Sequence, residues 1–99
     1  MIDIVRVDEH GTEISRNMDV GVVDEALHYA GPDGRCLAFI DPYGDTTFNQ
    51  GQLPVLVAEF RALKARISDD ELRSRIDQLV LLIQLALDRP HEYIQFVGD

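Results

Sequence analysis

Residues 54–90, PVLVAEFRALKARISDDELRSRIDQLVLLIQLALDRP, decide the fold. Leu56, Phe60, Leu63 and Ile67 recur at i, i+4, i+7 and i+11, which is one face of a helix. Pro54 suits the first turn, where its missing N–H costs nothing. Ser68-Asp69-Asp70-Glu71 then spells a capping box, with Ser68 at the N-cap and Glu71 at N3. The three acids also favour the positive end of the helix they open. That second helix is predicted to run to about residue 88, with Leu72, Ile76, Leu79, Val80, Ile83 and Leu87 facing inward, until Arg89-Pro90 ends it. Near-continuous apolarity from Leu79 to Leu87 implies burial on more than one side. A sheet together with the first helix meets that need, and so does a second copy of the chain.

Outward from this helical hairpin, the flanks read as strands. Residues 2–8 (IDIVRVD) are β-branched and half polar, Glu9-His10-Gly11 is a turn, and residues 12–16 (TEISR) return as the second strand of a hairpin. Residues 17–23 are ambiguous. Gly31-Pro32-Asp33-Gly34 is a turn sequence, and it leads residues 25–30 and 35–40 to be read as two paired strands, the second central because it is apolar on both faces. Residues 91–97 (HEYIQFV) form a last strand. The predicted order is ββββααβ: an α+β domain with a mostly antiparallel sheet of about five strands and a two-helix hairpin on one face. Ninety-nine residues make one domain, 1–99.

Composition narrows the function. No segment reaches the roughly 18 apolar residues of a membrane span. The N-terminus has an acid where a signal peptide carries basic residues, and Cys36 is the only cysteine, so a cytoplasmic location is expected. The net charge of −9 argues against nucleic acid and against an anionic membrane surface, and favours a basic protein as partner. The acidity is uneven. Residues 1–52 carry ten acids against three arginines, whereas residues 53–67 carry one acid against Arg61, Lys64 and Arg66.

The densest set of specific polar groups is Phe39-Ile40-Asp41-Pro42-Tyr43-Gly44-Asp45-Thr46-Thr47-Phe48-Asn49, a predicted loop hung from a strand. Turn chemistry accounts for part of it. Asp41 before Pro42 caps a turn, Gly44 closes it, and Asn49 or Thr47 can cap the helix that follows. Tyr43 and Asp45 are less well explained in this way. A tyrosine at a turn tip is a rigid surface with a polar end, suited to anchoring a partner. The candidate partner-binding residues are Asp41, Tyr43, Asp45, Thr46 and Thr47.

Catalytic and metal readings fit less well. Counted from Asp41, the loop fails the calcium-loop spacing, because glycine is not at position 6. A carboxylate pair of Asp41 and Asp45 needs environments that separate two pKa values, and a sequence does not display those. His10, His28 and His91 lack metal-ligand spacing, and Cys36 reads as a small buried hydrophobe. No P-loop, G-x-G-x-x-G or G-x-S-x-G occurs. No catalytic residue, cofactor or metal is expected.

Residues 35–99 resemble a group of small acidic bacterial proteins. The resemblance is carried by D-P-Y-G-D-T-x-F-N and by the terminal Tyr93-Ile94-Gln95-Phe96-Val97-Gly98-Asp99. Proteins of this kind are similar to immunity proteins of polymorphic, Rhs-type or contact-dependent toxins. The resemblance lies in size, charge and setting. It implies a non-enzymatic protein that binds a cognate toxin domain, probed as a 1:1 complex of a monomer. The alternative is a small regulatory or homodimeric interaction module using the second helix.

Overall fold

A computed structural model describes residues 1–31 and 34–99. Strands β1 (Asp3–Asp8) and β2 (Glu13–Arg16) form a hairpin, followed by helix α1 (Val22–Leu27) and a 3-10 turn at Leu37–Phe39. Strand β3 (Asp45–Phe48), helices α2 (Leu53–Lys64) and α3 (Asp70–Leu87), and strand β4 (Glu92–Val97) complete the chain. The sheet has four strands in the order β2-β1-β4-β3, with every neighbouring pair antiparallel. The α+β class and the helical hairpin are as the sequence predicts. The strand count is four rather than five.

The two differences lie in one region. Residues 25–30 and 35–40 do not pair as strands. Residues 22–27 are helix α1 instead, because Val22, Val23 and Ala26 recur at i, i+1 and i+4 and are buried together. Cys36, Leu37 and Ile40 follow the same spacing around the 3-10 turn, which leaves Ala38 and Phe39 outside. A short apolar run has no periodicity of its own, so the Gly31-to-Gly34 turn sequence biased it towards a hairpin. Pro32 and Asp33, the centre of that predicted turn, lie outside the described residues. The missing strand is supplied from inside the predicted loop, where Asp45–Phe48 pairs with the edge of β4.

The core lies between the sheet and the helices. Ile4, Phe48, Ile94 and Phe96 project from the sheet onto Leu53, Leu56, Phe60 and Leu63 of α2 and Ile76, Leu79 and Ile83 of α3. Phe96 stacks on Phe60, with ring centroids 6.3 Å apart, and meets Phe48 edge-on at 5.8 Å. Both are favourable arrangements of aromatic quadrupoles. Val5 and Val7 are buried on the opposite face of the sheet, outside this cluster. Arg6, which points to the helical side by strand alternation, is held beside Glu92 at 3.1 Å.

Local chemistry sets the helix ends. Asn49 and Gln52 bond reciprocally across the turn that leads into α2: Gln52 N–H donates to Asn49 Oδ1 at 3.1 Å, and Asn49 N–H donates to Gln52 Oε1 at 2.9 Å. The N-cap position of α2 is Gln52, and neither Asn49 nor Thr47, the caps expected from the sequence, occupies it; Asn49 closes the preceding turn. The Gln50 amide reaches the carbonyls of Ala86, Arg89 and Glu92 at 2.7–3.0 Å, tying the start of α2 to the end of α3. The cap of α3 is Asp69, not Ser68. Asp69 Oδ1 accepts from the Glu71 and Leu72 N–H groups at 2.9 and 3.4 Å. A carboxylate bonds the amides and complements the helix dipole as well, which a hydroxyl cannot do. Asp69→Ala is therefore expected to lower stability by about 1 kcal/mol in urea unfolding, with Ser68→Ala near neutral.

Arg75 clasps the ambiguous 17–23 segment onto α3. Its Nε and Nη2 donate to both Asp19 carboxylate oxygens at 2.7 and 2.9 Å, and its Nη1 meets Glu25. These bonds hold the Asp19 carboxyl below its ordinary value of 3.8 and raise the guanidinium's own pKa. A carboxyl depressed in the folded state adds stability above its unfolded pKa and loses it as pH falls through the folded one. Arg75→Met is thus expected to be less stable than the parent by about 1 kcal/mol at pH 7, with the difference closing below about pH 4. Urea midpoints measured from pH 7 to pH 2 check this.

Candidate functional site

The site grows from the turn between Ile40 and β3. Asp41 Oδ1 accepts from Tyr43 N–H at 2.8 Å, an Asx turn that folds the chain back on itself. Gly44 N–H donates to Asp41 C=O at 3.4 Å, and Thr46 Oγ1 accepts from Asp41 N–H at 2.9 Å. Asp41 and Thr46 are therefore occupied in building the turn. A Cβ on Gly44 would stand 2.8 Å from the Asp41 carboxylate, so a larger residue there would push that carboxylate out of its place in the turn.

The C-terminal strand holds the turn from outside. Gly98 N–H donates to Gly44 C=O at 2.8 Å. A Cβ at residue 98 would come within 2.5 Å of the Pro42 carbonyl oxygen. Glycine is needed there for contact, and the two distant sequence segments D-P-Y-G-D and F-V-G-D prove to be one structural unit. Beyond it, the Asp99 carboxylate pairs with the Met1 ammonium.

The five candidate residues separate into two roles. Tyr43 stands 82% exposed at the turn tip. Asp45 and Thr47 alternate onto one face of the edge strand β3, where Asp45 shares a row with Val97 and Asp3, and Thr47 faces Gln95. Thr46 points to the opposite face, opposite Phe96 in register, and serves the turn. Among the described residues, neither Asp41 nor Asp45 has a cation within 4.0 Å. Their carboxylates face solvent with their charge uncompensated at short range.

The sequence reading missed Phe39. Expected inside a central strand, it lies on the 3-10 turn, 72% exposed and four residues from Tyr43. Two large aromatics left this open on one short segment are unusual for a small domain, because each withholds an area the core could have used. The available clue was the i, i+1, i+4 spacing of Cys36, Leu37 and Ile40, which leaves residue 39 on the outer side. Cys36 is buried, and burial pushes its thiol pKa up, with the Glu59 carboxylate adding to the effect.

A hollow of about 590 Å³ lies against α2, and one of about 210 Å³ lies over Val7, Tyr93 and Thr47. Neither is lined by Asp41, Tyr43, Asp45 or His91. Among the described residues, no group of three or more His, Cys, Asp or Glu side chains is placed to hold a metal ion. Among the described residues, no helix is long and apolar enough to cross a membrane. No protein-family model, curated protein or solved structure matches the chain.

The split of roles has a direct test. Thr46→Val removes the acceptor for Asp41 N–H and is expected to cost about 1 kcal/mol, with altered amide shifts from residue 41 to 44. Tyr43→Ala is expected to leave the unfolding midpoint within about 0.5 kcal/mol of the parent, as an exposed substitution away from the core should.

Proposed function

We propose that the chain is a non-enzymatic immunity protein of the cytoplasm that binds a cognate bacterial toxin domain and occludes its active site. The observation that carries this reading is the pair of exposed aromatics, Phe39 and Tyr43, set among the uncompensated carboxylates of Asp41 and Asp45 on a turn fixed by hydrogen bonds. A rigid turn presents its side chains at low entropic cost, and aromatic anchors are where interface energy concentrates. The net charge of −9 steers encounter with a basic partner. Tyr43 enters the toxin's cleft, with Asp41 and Asp45 meeting the cations that would otherwise bind an anionic substrate. Phe39 and Thr47 extend the contact on either side, and Thr46 keeps the turn in shape.

The alternative, a homodimeric interaction module joined through α3, draws on Leu81 and Leu85, which remain half exposed. The rest of the leucine-rich face is spent on the core, as Leu79, Val80, Leu82, Ile83 and Ala86 are buried. Two leucines one turn apart are a small nucleus for an interface that needs about 800 Å² per partner. The observations therefore favour a monomer that acts in a 1:1 complex.

Co-expression with the toxin encoded next to it is the test. The parent chain is expected to rescue growth and to co-purify with the toxin domain. Phe39→Ala with Tyr43→Ala is expected to abolish rescue while the unfolding midpoint stays within about 0.5 kcal/mol. Full protection by that double variant, or a neighbouring gene product that is harmless, overturns the reading. A stable dimer by light scattering, lost on Leu81→Lys with Leu85→Lys, supports the alternative.

A further inference from the structure

Backbone hydrogen bonding leaves one edge of the sheet open. In an antiparallel ladder, successive residues turn their backbone groups alternately to one neighbouring strand and to the other. Asn17 N–H donates to Ile4 C=O at 3.1 Å, so Ile4 faces β2, and the flanking Asp3 and Val5 face Val97 and Gln95 of β4. Gly98 N–H donates to Gly44 C=O at 2.8 Å, one step beyond the pair of Asp45 and Val97. Both bonds give the same phase: Thr46 and Phe48 bond β4, and the N–H and C=O groups of Asp45 and Thr47 point out of the sheet. Among the described residues, no backbone group bonds to these four. The open stretch has sharp limits, because Tyr43 N–H is taken by Asp41 Oδ1 and Asn49 N–H by Gln52 Oε1. Two donors and two acceptors, on residues about 7 Å apart at 3.4 Å per residue, match an extended polypeptide backbone.

Sheet edges are commonly blunted against such pairing. The other edge is: Ile14 is an extra residue in the register of β2 against β1, and Glu13 and Arg16 pair along the strand. In contrast, β3 keeps unbroken register with β4, and its sequence DTTF contains neither lysine nor proline. Its one charged side chain, Asp45, is exposed and, among the described residues, has no cation within 4.0 Å. A strand laid against β3 sets one side chain directly opposite Asp45, where lysine or arginine gains an ion pair and an acid is repelled. A second copy of the chain fits poorly. Antiparallel pairing of two β3 strands about Thr46 sets Asp45 against Thr47, leaves both carboxylates unmatched and brings together two chains of net charge −9.

We propose that β3 takes up an extended basic segment of a partner protein as a fifth strand, held by four backbone bonds at Asp45 and Thr47, with a lysine or arginine opposite Asp45. This rests on the reading of the turn and β3 as a partner surface and assigns how the partner's backbone is held. Asp45 and Thr47 act through their main chain as well as their side chains, and Tyr43 flanks the added strand at its end.

Amide NMR of the intact chain, titrated with the blocked peptide acetyl-Lys-Val-Lys-Val-Lys-amide at up to millimolar concentration, tests this. Saturable shifts centred on the Asp45 and Thr47 amides are expected, with weaker binding of the glutamate counterpart of the peptide. Methylating the lysine backbone nitrogens removes the donors that face β3 and is expected to abolish binding, whereas methylating the valine nitrogens, which face away, is expected to preserve it. Thr47→Pro removes one outward N–H and no bond to β4, and is expected to abolish binding. Should that variant fold poorly, Asp45→Lys keeps every backbone group and is expected to weaken the lysine peptide about tenfold and make the glutamate peptide the better ligand. No saturable binding, binding that survives methylation of the lysine nitrogens, or equal binding of the glutamate peptide overturns the proposal. A concentration-dependent dimer that shifts the same two amides also overturns it and assigns the edge to a second copy. Peptide binding without rescue in the co-expression test leaves edge pairing standing and overturns the toxin reading; rescue without peptide binding does the reverse.

Discussion

Burial of the Phe96 side chain is the contact on which the rest of this structure depends. Phe96 sits on β4, one of the two inner strands, and touches both layers: Phe48 from the neighbouring strand and Phe60 from α2. The aromatic trio joins residues from the edge strand, the first long helix and the last strand of the chain. Removing its central ring would open a cavity between sheet and helices at a cost of about 3–5 kcal/mol, a large part of a small domain's stability. Because β4 is also hydrogen-bonded to β1, the two ends of the chain must meet before this core can close.

That closure also makes the candidate site. The strand that carries Phe96 continues directly into Gly98, whose amide bonds Gly44 and whose bare Cα lets Pro42 lie against it. The turn at residues 41–44 is thus supported by the most deeply anchored strand of the domain. Its tip, with Phe39 and Tyr43 exposed, spends apolar area on the outside. A rigid mount with an open aromatic tip presents its side chains at low entropic cost.

Acidic side chains gather at one end of the sheet. The sheet end near the turn gathers Asp3, Asp41, Asp45 and Asp99; among the described residues, the Met1 ammonium pairs with Asp99 and Arg16 lies beside Asp3. Exposed charges are screened over about 8–10 Å at physiological salt, so the potential at this end is set mainly by its own residues.

The helices at residues 53–87 were legible from the sequence by themselves, because their apolar face repeats through several turns and no other structure satisfies it. The β1–β2 hairpin and the last strand were legible for the same reason, from alternation bounded by a turn. Asp41 as a turn-former was readable too, since an Asx turn is a local bond between near neighbours. Tertiary structure alone decided the region from residue 22 to residue 48. There the apolar runs are short, and helix or strand depends on which face finds a partner: α1 became a helix because Val22, Val23 and Ala26 pack into the core, while the open edge of β4 drew Asp45–Phe48 into the sheet. The exposure of Phe39 and the need for glycine at position 98 follow from those distant contacts, which no window of sequence contains.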